Sequence, residues 1–178
     1  MRAMHSRADS IQALSQAATL STFFGPVSRV DRTPLATIGF TGAIHERWRV
    51  SLDSGEIVCT VAKRVHPSKD WISCRTGDMQ GREACFLGEP ALNAVWDFFE
   101  CPYIAFATAV DDALLLMHDL SPHLLPDVRE PIARVQEDRL VSALAALHAR
   151  FWESPMLDLP WLTSPRMLGG LLDARTAA

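Results

Sequence analysis

Glu56-Ile57-Val58-Cys59-Thr60-Val61-Ala62-Lys63-Arg64-Val65 is the stretch whose reading decides the fold. Side chains alternate faces along a strand. Ile57, Cys59, Val61, Lys63 and Val65 therefore share one face, and only Lys63 among them is charged. By this pattern the face belongs to the core. A lysine on such a face must lead its head to water or meet an anion. The plainest account is a strand-end lysine with a solvated head. The competing account needs a carboxylate, and Glu83 in Gly81-Arg82-Glu83-Ala84-Cys85-Phe86-Leu87 offers one.

The flanking sequence supplies the rest of a sheet. Ile44–Leu52 reads as a strand with Trp48, Val50 and Leu52 on one face, and Asp53-Ser54-Gly55 turns it into the Lys63 strand. Upstream, Gly39-Phe40-Thr41-Gly42 is a turn. Before it, 27–37 is strand-like, with Pro34 marking an edge or a bulge. Ile11, Leu14, Ala18 and Phe23 mark a first helix, opened by Asp9 or Ser10 and closed by Gly25-Pro26. Downstream, Thr76 to Glu89 reads as one helix closed by Pro90. Glu83, Phe86 and Leu87 fall on one side of it, which sets a carboxylate beside apolar residues. Tyr103–Thr108 and Ala113–Met117 form a second hairpin across Val110-Asp111-Asp112. Pro122, Pro126 and Pro131 punctuate a connection. Ile132, Val135, Leu140, Leu144, Leu147 and Phe151 then give the strongest helical period in the chain. The fold class expected is α+β: an antiparallel sheet with one helix packed on it, then the start of a helical region.

Composition narrows the function classes. The chain has 178 residues, 48% of them hydrophobic, a net charge of −4 and a pI near 5.8. It can bury a real core, and the absence of a basic stripe argues against nucleic acid as a partner. Cys59, Cys74, Cys85 and Cys101 form no C-x-x-C pair, so reduced core cysteines are expected rather than a zinc site or a thiol enzyme. The N-terminal helix is amphipathic and not a leader, and no stretch reaches the roughly 18 apolar residues of a membrane span. A soluble, cytoplasmic protein without a membrane partner is expected.

Five short stretches, taken in order, resemble one family. They are Val61-Ala62-Lys63-Arg64-Val65, the run from Lys69-Asp70-Trp71 to Arg75-Thr76-Gly77-Asp78, and Gly81-Arg82-Glu83. Then come Leu114-Leu115-Leu116-Met117-His118-Asp119-Leu120-Ser121 and Leu144-Ala145-Ala146-Leu147-His148-Ala149-Arg150-Phe151-Trp152. Between about Val27 and Trp152 the chain resembles the N-terminal part of an aminoglycoside phosphotransferase-like enzyme of the protein-kinase-like fold. The order is a glycine turn, a strand lysine, then a helical glutamate. The resemblance implies a nucleotide-binding lobe over residues 1–117, a hinge and connector over 118–130, and the start of a helical lobe over 131–178. It implies ATP with Mg as cofactor and a small-molecule hydroxyl as acceptor. Gly39 and Gly42 would approach the phosphates, Lys63 would contact them, and Glu83 would hold Lys63. Met117, His118, Asp119 and Leu120 would present backbone groups to the adenine edge.

The family's H-x-D catalytic loop and metal-binding aspartates follow the long helix, and the sequence carries neither pattern. His118-Asp119 is an adjacent pair at the hinge, and His148 lies within the long helix, so no catalytic residue is assigned. The expectation is a truncated or inactive phosphotransferase-like protein. Its 131–152 helix would self-associate or receive a missing C-terminal lobe. The alternative, from another class, is a non-catalytic α+β interaction or nucleotide-binding module with Lys63–Glu83 as a structural ion pair.

Overall fold

The structure, a computed structural model, describes residues 5–36, 42–123 and 130–163. In chain order the elements are β1 (Ser6–Arg7), α1 (Ile11–Leu14), α2 (Ala17–Phe24), β2 (Val27–Pro34), β3 (Ile44–Leu52) and β4 (Ile57–Val65). They continue with α3 (Trp71–Thr76), α4 (Arg82–Gly88), β5 (Tyr103–Ala109), β6 (Asp112–His118) and α5 (Arg134–Phe151). The fold is α+β around a six-stranded sheet ordered β1-β5-β6-β4-β3-β2.

The sheet is mixed rather than antiparallel. β1 runs parallel to β5, with Ser6 opposite Ala105 and Arg7 opposite Phe106. Two residues are too few to display a period-2 pattern, so this strand was invisible in the sequence. The other four pairings are antiparallel. Pro34 ends the edge strand β2, where its missing N–H costs no ladder bond. The turns at Asp53–Gly55 and Val110–Asp111 join the two hairpins as expected, with Gly55 (φ 86°) and Asp111 (φ 53°) in the left-handed region.

Lys63 lies on the opposite face from the main core. The deeply buried residues of β4 are Thr60 and Ala62, while Ile57 and Cys59 are exposed and Lys63 is half-buried. The core face gathers Trp48, Val50, Leu52, Ala62, Leu114 and Leu116 under Leu14 and Leu20 of α1 and α2. The pattern misled because β4 is apolar on both faces, so alternation could not say which face the helices cover. Lys63's face has its own smaller core, where Ala84 and Leu87 of α4 pack on Phe106, Ala113 and Leu115. Helices thus cover both faces, in place of the single packed helix expected.

The helix read over Thr76–Glu89 is broken at 77–81: only Thr76, which ends α3, and Arg82–Gly88, which is α4, are helical. Gly77 (φ 68°) closes α3 in the left-handed conformation, and Gly81 (φ 75°) sits at the N-cap of α4. The first helix is also split. Ser10 caps α1, and the chain leaves helical geometry at Gln16 before α2 begins. None of the cysteines is core: Cys59 and Cys74 are exposed, Cys85 and Cys101 half-buried. No described helix is long and apolar enough to cross a membrane.

Candidate functional site

Lys63 and Glu83 meet. Lys63 Nζ lies 2.5 Å from Glu83 Oε2, with both side chains mostly covered. The contact follows from local structure. Burial of Ala84 and Leu87 fixes the rotation of α4 on the sheet, and Glu83, one position before Ala84, projects at the rim toward β4. Glu83 also lies in the first turn of its helix, where the backbone dipole favours a carboxylate.

A third group completes the arrangement. Tyr103 Oη donates to Glu83 Oε1 at 2.8 Å. The carboxylate therefore has one oxygen for the ammonium and the other for the phenol. Burial, then the neighbouring Glu83 charge, pushes the Tyr103 hydroxyl far above its ordinary pKa, so it stays a donor at any working pH. Trp96 packs edge-on against both Tyr103 and Phe86, closing the back of the site. In front of Lys63 is a cavity of ≈ 430 Å³, walled by Val65, Asp70, Arg82, Glu83, Phe86 and Leu115 among others.

Of the turn glycines, Gly39 lies outside the described residues. Gly42 donates its N–H to Asp70 Oδ2 at 2.9 Å. Asp70 Oδ1 accepts from Ser73 N at 2.7 Å as the N-cap of α3. One buried carboxylate thus ties Gly42, before β3, to the start of α3. A Cβ at Gly42 would stand 3.2 Å from the Lys69 carbonyl oxygen, a close approach that suits glycine.

Of the four residues expected at the hinge, Met117 and His118 end β6, and Asp119 and Leu120 follow it. Met117 pairs with Val61 and His118 with Thr60. Met117 shares Lys63's face by the register, two positions beyond Leu115, which pairs with Lys63. The His118 N–H is already donated to the Pro102 carbonyl, and the Leu120 carbonyl accepts from His123 N. Asp119 accepts from the N–H and hydroxyl of Ser121 and lies 3.1 Å from Arg47 Nε of β3. The Ser121 hydrogen bonds first, and Arg47 after them, hold the Asp119 carboxyl below the usual range. This clamp fixes the segment leaving the sheet against the neighbouring strand.

Sequence reading missed Tyr103, Asp70, Arg47 and His45. Only Asp70-x-x-Ser73 carried a legible signal, a helix-capping spacing. The rest depend on cross-strand register. No group of three or more His, Cys, Asp or Glu side chains that could hold a metal ion occurs among the described residues. Comparison of the chain with family models, curated proteins and solved structures finds no match.

Proposed function

We propose that this chain is a nucleotide-binding lobe of the phosphotransferase type, of protein-kinase-like architecture, which takes ATP against Lys63. The Lys63–Glu83 pair, steadied by Tyr103, is the observation that carries the reading. Phosphoryl transfer asks a protein mainly for positioning and charge neutralisation. ATP, when bound, supplies the transferable group. Lys63 offers a compact cation whose direction is fixed before any ligand arrives. Glu83 keeps it from leaving for water, and Asp70, in the cavity wall, tethers Gly42. No described residue is given a catalytic role, and a small-molecule hydroxyl as acceptor rests on the resemblance alone. We extend the reading to α5, whose unburied face would receive a helical lobe or a second copy.

A second reading has its own support. The charges around the cavity are paired within the chain: Lys63 with Glu83, Asp70 with two backbone N–H groups, and Arg82 close to Asp78. A set of satisfied charges also suits an interaction module in which the ion pair only braces α4 on the sheet.

Titration calorimetry with Mg-ATP, wild type beside Lys63→Ala, separates the two. Circular dichroism checks that both are folded. Binding by the wild type, weakened at least about tenfold in Lys63→Ala, is the expected result, a loss of roughly 1.4 kcal/mol or more. Two folded proteins that both fail to bind would sink the nucleotide reading and leave the brace.

A further inference from the structure

His45 of β3 stands directly across from Lys63 in the β3–β4 ladder, so both side chains rise from one face of the sheet. Its Nδ1 is buried. Lys63 faces it from β4 and Glu83 from α4. On the other side β2 has ended, and the backbone neighbour there is Leu35, whose N–H bonds the His45 carbonyl. Arg47, next on the same face of β3, is turned to Asp119 and Ser121.

The charge balance explains what His45 could do. Glu83 already compensates Lys63, so this pair presents no net charge to a ligand. A nucleotide polyphosphate brings several negative charges to the same place. Beside Lys63, the His45 imidazole can change its charge to meet them near neutral pH. In the free protein the imidazolium is disfavoured, first by burial and then by Lys63, with a bond to the Ala43 backbone and the charge of Glu83 opposing. An arriving anion reverses the electrostatic balance.

Resting on the nucleotide reading above, we propose that His45 is a second contact for the phosphates bound at Lys63 and takes up a proton from solvent as they bind. The sign follows from linkage. If the ligand favours the protonated ring, lower pH favours the ligand, and each binding event draws up to about one proton from the buffer. His45→Gln keeps a polar side chain but cannot take that proton.

The test is calorimetry of Mg-ATP binding at pH 7.5 in buffers of different ionisation enthalpy, for wild type and His45→Gln. Expected is net proton uptake in the wild type that disappears in the variant. Wild-type affinity should rise several-fold from pH 8.5 to pH 6.5, while the variant's stays flat. Binding with equal proton uptake in the two proteins overturns the role of His45 and leaves the nucleotide reading standing. Failure of the folded wild type to bind overturns both. Should His45→Gln not fold, ring-proton titration of the wild-type histidines with and without Mg-ATP decides. An upward shift of the His45 midpoint supports the proposal, and an unmoved midpoint removes it.

Discussion

Tyr103 of β5 and Glu83 of α4 are joined by a 2.8 Å hydrogen bond that leaves the other oxygen of the same carboxylate to Lys63. The bond links β5, two strands away from β4, to the helix that aims the ion pair. Removing the hydroxyl in Tyr103→Phe strips a donor from a partly buried carboxylate and changes little else. Hydrogen bonds to charged groups contribute about 1.5–3 kcal/mol, and the partial exposure of Glu83 lowers that. Tyr103→Phe should therefore lose about 1–2 kcal/mol in urea unfolding. Glu83→Gln in the Tyr103→Phe background measures the coupling. A strictly additive double variant would show that the two groups do not act together.

Asp70 should matter more than its place in a loop suggests. Its two oxygens serve different segments, Ser73 at the start of α3 and Gly42 before β3. Loss of an N-cap costs about 0.5–2 kcal/mol, and Asp70→Ala also frees the Gly42 N–H. The expected loss is about 2 kcal/mol in denaturant unfolding. Hydrogen exchange should quicken at Gly42 as well as at Ser73. Asp70→Asn keeps an acceptor for one N–H and should fall between Asp70→Ala and wild type. Exchange that quickens only in α3 would mean that Asp70 does not hold the turn.

These two groups also mark where sequence reading stops. The hairpins were legible because Asp53-Ser54-Gly55 and Asp111-Asp112 punctuate clear apolar runs, and both appear where turn chemistry puts them. Lys63 and Glu83 were legible as a pair because each broke an apolar pattern, and each charge explains the other. The face of β4 was not legible. β6, paired with it, buries Leu114, Leu115 and Leu116 alike, and periodicity says nothing about a strand covered on both sides. Gly77 and Gly81 stand inside the stretch read as one helix, and their left-handed backbone ends α3 and starts α4. Tyr103 and His45 could not have been found from the chain alone. Their roles come from the register of β5 on β6 and of β3 on β4, a long-range property that no local pattern encodes.

The helix α5 gives the sharpest contrast between pattern and packing. Its 18 residues include none that is buried, and Leu140 and Leu144, one turn apart, are 42% and 40% exposed. Leu115 and Leu116 of β6 are fully buried. Leu115→Ala or Leu116→Ala should therefore cost about 2–5 kcal/mol, as core truncations do. Leu144→Ala should change the stability of the dilute protein by less than about 0.5 kcal/mol. Helices in proteins draw most of their stability from packing of an apolar face, and covering each large apolar side chain is worth roughly 1.5–3 kcal/mol. A partner for this face would thus stabilise both the helix and the chain, which is why we expect a second copy to gather on it as concentration rises. Sedimentation velocity should show the average mass increasing with concentration for the wild type. Leu140→Glu combined with Leu144→Glu should hold the protein monomeric with its sheet intact by circular dichroism. A wild type that stays monomeric at every concentration would remove self-association through α5. A large stability loss in dilute Leu144→Ala would instead place this helix against the chain's own core.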